Sequence, residues 1–238
     1  MKQLLKVVEK ILKISDEKRK IVKIVARLNR KIEVLDVGCG YGEKIKLFQQ
    51  LGFLNILGVE KNVVIATEVK HKGLPVIPIE KFQPKQSKKE FDLLIFSHII
   101  EHFEPKSLLT FLESYFETGK EDGYVLIITP MLTEFFYNDF DHIKPYSPNG
   151  IEHIFSGNKH QVQFYSKFRL EMVDIYFRRM PFHFFKFTRS IYLGKKNPLR
   201  INPLIILINL ISSIVFIGSM GIIGRTTGWI GLYKLHKN

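Results

Sequence analysis

VLDVGCGYGEKIKLF, residues 34–48, opens as a short buried strand ending at Asp36 and then places glycine at 38, 40 and 42. After Gly42 the segment EKIKLFQQ spaces its apolar residues as a helix does. Strand, glycine turn and helix in that order make a ligand-cradling βα unit. Glycine permits positive φ and a close backbone approach, and the helix offers its first N–H groups. The pattern predicts a ligand lying against the backbone at Gly38, Gly40 and Gly42.

Outward from this turn, short apolar runs alternate with helical segments. Residues 32–35, 56–59, 74–79, 91–97 and 124–130 read as strands; 43–50, 63–70 and 105–117 read as helices, the last opening on a proline. Such alternation implies βαβ units and a mainly parallel, doubly wound sheet. The polar run PKQSKKE, 84–90, interrupts it. Beyond Pro130 an aromatic-rich loop leads to a short helix near 150–156 and a strand-like RLEMVDIYF at 169–177. Ahead of the first strand, residues 2–30 carry apolar residues at helical spacing, with a break and a fresh N-cap at Ser15 or Asp16. Two amphipathic helices are expected there, covering one face of the sheet.

A second strand ends in Glu60, 22 residues after Gly38, a spacing that suits an acidic side chain bound to a ribose. Dinucleotide folds place a third glycine where this chain has Glu43. A carboxylate there repels a diphosphate, so a cofactor without phosphate and with a cationic centre fits better.

VLDVGCGYG, the strand ending LGVE and FDLLIFSHIIEH together resemble the class I S-adenosylmethionine-dependent methyltransferases of the broad small-molecule and glycan type. The resemblance runs over roughly residues 30–178. It implies a seven-stranded, mainly parallel Rossmann-like sheet whose last two strands form an antiparallel hairpin. It also implies S-adenosyl-L-methionine as cofactor. Asp36 and the backbone of Gly38, Cys39, Gly40 and Gly42 would hold the methionine moiety. Glu60 would bind the ribose hydroxyls, Glu80 would lie near the adenine, and Ser97, closing the fourth strand, joins the cofactor-binding set.

Methyl transfer is an in-line displacement, so alignment and exclusion of water supply much of the acceleration. A hydroxyl acceptor must also lose a proton, a task suited to histidine. Two segments offer one. In SHIIEH, 97–102, His98 follows the fourth strand and reads as active-site lining, with Glu101 and His102 read as structural. In DHIKPYSPNG, 141–150, Pro145 and Pro148 stiffen a loop presenting His142, as base or anchor, and Tyr146, as a substrate contact. No spacing of a known metal motif is present, so no metal is expected. The Asn/Asp-Pro-Pro-aromatic run of enzymes that methylate nucleic-acid amino groups is replaced by SHII, which disfavours a nucleic-acid partner.

At 238 residues and 45% hydrophobic composition, the chain can bury a sizeable core. Its single cysteine excludes an internal disulfide and fits a reducing, cytoplasmic compartment. The charged N-terminus lacks the apolar core of a secretory signal. A formal net charge of +13 suits an anionic partner or a solvated basic surface.

Residues 203–224 contain no charge, and a basic-aromatic run precedes them. The expected organisation is N-terminal helices over 1–30, a methyltransferase core over 31–178, a hydrophobic helical insert over 179–226, and the last strand over 227–238. A helix dipping into one leaflet, a buried or homodimer-forming helix, and a full membrane span all remain open for the insert. The reading as a whole is O-methylation of a hydroxyl on a membrane-borne or lipid-linked substrate, a saccharide or quinone-type phenol, at the cytoplasmic membrane face. A soluble small-molecule methyltransferase with a dimerising insert, and a catalytically silent membrane partner of the same fold, are the alternatives.

Overall fold

A computed structural model describes residues 16–82, 84, 90–157, 165–182 and 203–237. The chain divides into two compact units, Lys20–Phe177 with Gly228–Asn238, and Met1–Arg19 with Arg178–Thr227.

In chain order the elements are α1 (Asp16–Ile24), β1 (Val34–Val37), α2 (Glu43–Gln50), β2 (Ile56–Glu60), α3 (Val63–His71) and β3 (Val76–Pro78). Next come β4 (Phe91–Ser97), α4 (Pro105–Phe116), β5 (Gly119–Pro130), α5 (Pro148–Phe155), β6 (Phe168–Met180), α6 (Pro203–Gly218) and β7 (Arg225–Lys237). They build one seven-stranded sheet in the order β3-β2-β1-β4-β5-β7-β6. From β3 to β5 every pairing is parallel, and β7 runs antiparallel to β5. The expected doubly wound, mainly parallel sheet is present. β7 lies between β5 and β6, which makes it an interior strand.

Central parallel strands are covered on both faces, so they read as nearly unbroken apolar runs. All four residues of β1 are buried, Asp36 among them. On one face Leu35, Leu94, Phe96, Val125, Ile127, Trp229 and Tyr233 pack with Leu108, Leu112 and Phe116 of α4 and Ile151 and Phe155 of α5. On the other, Val34, Leu93, Ile95, Leu126, Ile128 and Ile230 meet Ile21 and Ile24 of α1, Phe48 of α2 and Val69 of α3. The first strand starts two residues later than its apolar run suggests. The Glu33 N–H is taken by the Asp92 carboxylate at 2.8 Å, and the β1 ladder begins only at Val34.

β1 pairs with β2 on one side and β4 on the other, so the strand order reverses between β1 and β4. A crevice opens beyond the carboxyl ends of strands at such a reversal, and ligands bind there. Asp36, Glu60 and Ser97 all stand at those ends.

Within the smaller unit, Asp16 accepts from Arg19 at 2.9 Å and from the Arg179 N–H at 2.7 Å, and Glu17 pairs with Arg178. The helix expected to restart at Ser15 or Asp16 begins at Asp16. α6 leaves Leu204, Leu207, Leu210, Ile211 and Ile214 exposed and turns Phe216 inward. It has 16 residues, a rise of about 24 Å against a hydrocarbon core of about 30 Å. No described helix is long and apolar enough to cross a membrane. The first of the two amphipathic N-terminal helices, the polar run after residue 84 and the basic-aromatic run from 183 to 200 lie outside the described residues.

Candidate active site

The three glycines after β1 all adopt left-handed φ, 67° at Gly38, 50° at Gly40 and 73° at Gly42, a region where a side chain costs about 1–2 kcal/mol. Their reasons differ. A Cβ on Gly38 would stand 2.5 Å from Cδ1 of Ile99, and one on Gly42 would stand 2.6 Å from Cδ1 of Leu74. Those two positions are empty of side chain because the protein's own core fills the space. Only at Gly40 would a Cβ meet nothing within 4 Å. Gly40 faces open space, and Gly38 and Gly42 let neighbouring elements pack.

Two acidic side chains flank Gly40, in opposite states. Glu60 accepts from the Gly40 N–H through one oxygen and from the Asn62 N–H through the other, both at 2.8 Å. Its orientation is fixed by backbone, and each oxygen retains a lone pair. Asp36 is fully buried, and among the described residues neither of its oxygens has a hydrogen-bond partner. Burial pushes its carboxyl up to about 7, with Lys44 pulling it down and the Glu60 charge adding to the rise. A buried carboxylate without donors is costly. It is relieved by a cationic group such as an ammonium, so the arrangement fits a cofactor of the S-adenosylmethionine kind. Cys39 is buried, and burial raises its thiol well above the ordinary range, so it is a packing residue rather than a nucleophile. Glu80 is exposed on the 3₁₀ turn that follows β3, two residues past the Glu60–Pro78 register pair.

Ser97 ends β4 opposite Ile128 and is half-buried. His98 follows in the left-handed region at φ 54°, its N–H donating to the Ile128 carbonyl at 2.7 Å. Non-glycine residues hold that conformation only where the surroundings enforce it. The His98 side chain is 38% exposed, and its Nδ1 lies 3.4 Å from Oε1 of the wholly buried Glu101, an ion-pair distance outside hydrogen-bond geometry. Glu101 accepts from the Thr129 hydroxyl at 3.0 Å through Oε2.

The backbone carbonyl of Glu101 accepts from the Ile143 N–H at 2.9 Å and the Lys144 N–H at 3.2 Å. This clamp ties the loop after β5 to the 3₁₀ turn Ile100–His102. It brings the rings of His102 and His142 to 4.9 Å between centroids. His142 is mostly buried, with its Nδ1 2.7 Å from the Phe136 carbonyl. Tyr146, read from sequence as a substrate contact, turns inward instead. It is 6% exposed and its hydroxyl donates to the Phe103 carbonyl at 2.8 Å. Trp229 donates to the Tyr146 carbonyl at 2.7 Å, so Tyr146 is braced from both ends.

Sequence reasoning passed over an exposed apolar rim. Leu132, Tyr137, Phe140 and Ile143, all on the loop between β5 and α5, leave large apolar surfaces in water, with Phe140 99% exposed. Tyr41, inside the glycine turn, is likewise exposed. Apolar residues in a long loop with no helical or strand period were the available signal. The groove of about 660 Å³ along α4, between Lys106 and Lys167, contains none of the residues singled out from sequence.

A methyltransferase-domain family model matches residues 11–172. No curated protein is a recognisable sequence relative. Solved structures share the fold at low identity. One is an S-adenosylmethionine-dependent methyltransferase from Archaeoglobus fulgidus, at TM-score 0.57 and 22% identity over 92% of this chain and 94% of that one. Another is the magnesium protoporphyrin IX methyltransferase of Synechocystis with bound S-adenosylhomocysteine, at TM-score 0.55 and 11% identity over 92% and 83%. A third is the YcgJ protein of Bacillus subtilis, at 0.52 and 13% over 93% and 99%.

Proposed function

This chain belongs to the methyltransferase-domain family, and we propose that it is an S-adenosylmethionine-dependent enzyme that methylates a hydroxyl on an apolar, lipid-linked or otherwise membrane-borne acceptor. Asp36 carries the cofactor reading, being a buried carboxylate with no donor of its own near Gly40, where an added Cβ would meet nothing within 4 Å. When bound, S-adenosylmethionine supplies an electrophilic methyl on a cationic sulfur. Asp36 holds the ammonium of the methionine moiety, with the backbone at Cys39 and Gly40 alongside. Glu60, already oriented by two amides, receives the ribose hydroxyls. Glu80 and Ser97 stand at the carboxyl ends of β3 and β4 for the adenine side.

On the acceptor side, His98 would take the proton of the hydroxyl whose oxygen displaces the neutral thioether from the methyl carbon, the carbon–sulfur pair leaving with sulfur. Glu101, 3.4 Å away, stabilises the resulting imidazolium. His142 stands beside this pair through the clamp on Glu101. Two observations support an apolar or lipid-linked acceptor: the exposed rim of Leu132, Tyr137, Phe140 and Ile143, and the exposed apolar residues of α6. The same α6 face supports a second reading, a soluble small-molecule methyltransferase that dimerises through the insert.

Calorimetric titration with S-adenosylmethionine tests the premise, run beside Asp36→Ala and Glu60→Ala. Saturable binding in the wild type that both variants lose is the expected result. A folded wild type that fails to bind would leave a silent member of the fold. Cosedimentation with anionic liposomes then tests the membrane surface, and light scattering at rising concentration tests the dimer.

A further inference from the structure

We propose that Glu101, His102 and His142 form a binding site for one divalent transition-metal ion, with imidazole and carboxylate ligands and an open position for an oxygen of the acceptor. One ligand-type atom from each of the three lies within 4.8 Å of the others. They come from two segments, the 3₁₀ turn after β4 and the loop after β5, and the backbone clamp at Glu101 already joins those segments without any ion.

The partners bear on which ring nitrogen carries hydrogen. His102 Nδ1 is 3.0 Å from the Asp141 carbonyl, and His142 Nδ1 is 2.7 Å from the Phe136 carbonyl. A carbonyl oxygen only accepts, so each Nδ1 carries a hydrogen, which leaves Nε2 as the nitrogen that would ligate an ion. A backbone carbonyl holding the second ring nitrogen is the usual support of a metal-bound histidine. Glu101 contributes the charge. It is 0% exposed, one oxygen is served by Thr129, and Oε1 makes no hydrogen bond. One ligand-type atom of each histidine lies within 4.8 Å of a carboxylate oxygen of Glu101, and the wholly buried Oε1 has no hydrogen-bond donor, an environment that favours a cation.

The competing cation is a proton. His98 lies 3.4 Å from Glu101 Oε1, and Asp139 lies 3.7 Å from His142 Nε2, so a charged histidine would answer the same field. Three converging ligands distinguish the metal, since a proton needs only one donor and one acceptor. Mixed imidazole and carboxylate ligation suits zinc, cobalt, iron or manganese better than magnesium or calcium. A tetrahedral ion with bonds of about 2.1 Å spaces its ligands roughly 3.4 Å apart, so side-chain rotation of an ångström or so completes the site. The other His-acid cluster, Glu121, Asp122 and His236, is exposed and has Lys234 3.0 Å from Asp122, so its charge is already answered. If the acceptor is a hydroxyl, as the proposed function holds, a bound ion lowers that hydroxyl's pKa and shares the proton-removing task with His98.

The test uses the full chain, stripped with a chelator and titrated with cobalt(II) while its visible absorption bands are followed, with zinc as competitor. One equivalent of cobalt, displaced by zinc, is expected. Affinity should fall roughly 10–100-fold or more in His102→Gln and in His142→Gln. His71→Gln, on α3, should bind as the wild type does. Thermal melts identify any variant that has not folded, and the other histidine variant then decides. No cobalt bands in the folded wild type, or bands unchanged in both variants, would overturn the site and leave a proton in its place. S-adenosylmethionine binding is measured on the same metal-free protein. Cobalt binding without cofactor binding would sink the proposed function and leave the metal site standing.

Discussion

The two sides of the crevice satisfy their polar groups in different ways. Around Gly40, the protein leaves acceptors waiting: Asp36 has no donor, and an added Cβ on the glycine would touch nothing. Around His98, His102 and His142, the His98 amide and both histidine Nδ1 atoms are held by backbone carbonyls, those of Ile128, Asp141 and Phe136, and Glu101 Oε1 is the buried acceptor left over. A cofactor common to a whole family can be met by a preformed gap. An acceptor that differs between members must be met by side chains on a loop, and the loop needs internal bracing to hold them. In the proposed site, the Gly40 side leaves the whole Asp36 carboxylate without donors, whereas the histidine side leaves one oxygen of Glu101.

The sharpest way to break this contrast is to remove chemistry from the acceptor side while keeping its bracing. Asparagine tolerates the left-handed φ of His98 and still offers Glu101 a donor. His98→Asn should therefore fold normally and bind cofactor as the wild type does, while kcat falls by roughly 10²–10⁴. A matching loss of cofactor affinity would mean that the two sides are one unit, and the comparison would fail.

On the cofactor side the expected effect is smaller and runs in two directions. In Asp36→Asn the buried charge is gone, so the free protein becomes more stable above pH 7 while S-adenosylmethionine binds about 100-fold more weakly, roughly 2.7 kcal/mol. The sign follows from the raised carboxyl, about 7 in the folded chain against 3.8 unfolded. Between those values the folded state holds the extra proton, so the contribution of Asp36 to stability is present at low pH and is lost as pH rises towards 7. Cofactor binding needs the ionised form, so affinity should rise with pH and level off above about 7. Melting curves and calorimetry from pH 5 to 9 read both trends, and Asp36→Asn should flatten both. A wild-type affinity independent of pH would remove Asp36 from the site.

Much of this was legible in the sequence because its causes are local. The alternation of apolar runs gave the parallel sheet, and Asp36, the glycine turn and Glu60 are bound by strand-end geometry within about one βαβ unit. The reason for each glycine was not legible, since Ile99 and Leu74 reach Gly38 and Gly42 from other elements. Nor was the meeting of His102 with His142, which lie 40 positions apart and depend on the Glu101 carbonyl bonding to Ile143 and Lys144. The burial of Tyr146 was hidden for the same reason. A tyrosine beside prolines in a loop looks presented, and only its long-range partners Phe103 and Trp229 reveal that it is buried.

Gly38 and Gly40 allow a finer test of the cofactor side. Both pay the left-handed backbone cost on substitution, but alanine at 38 collides with Ile99 and alanine at 40 collides with nothing in the protein. Gly38→Ala should lower stability by several kcal/mol, from strain added to overpacking. Gly40→Ala should lose only about 1–2 kcal/mol, the backbone term alone, yet weaken cofactor binding more than its stability loss would suggest. Equal effects of the two on both readouts would mean that the glycine turn is a structural bend with no ligand side.

The smallest expected effect separates bracing from contact at Tyr146. Burial pushes its hydroxyl up to about 12, so it stays protonated at neutral pH and can go on donating to the Phe103 carbonyl. Tyr146→Phe keeps the ring in the core and deletes that one bond, at a cost of about 1 kcal/mol. For a chain of this size, that lowers Tm by about 2–4 °C. Because the ring and the Trp229 bond to the Tyr146 carbonyl survive, the loop should keep its path and KM for the acceptor should stay within about twofold. The opposite pattern, an unchanged Tm with a raised KM, would put the hydroxyl in contact with substrate. It would also mean that the loop opens far enough during turnover to expose a residue that is 6% accessible in the closed chain.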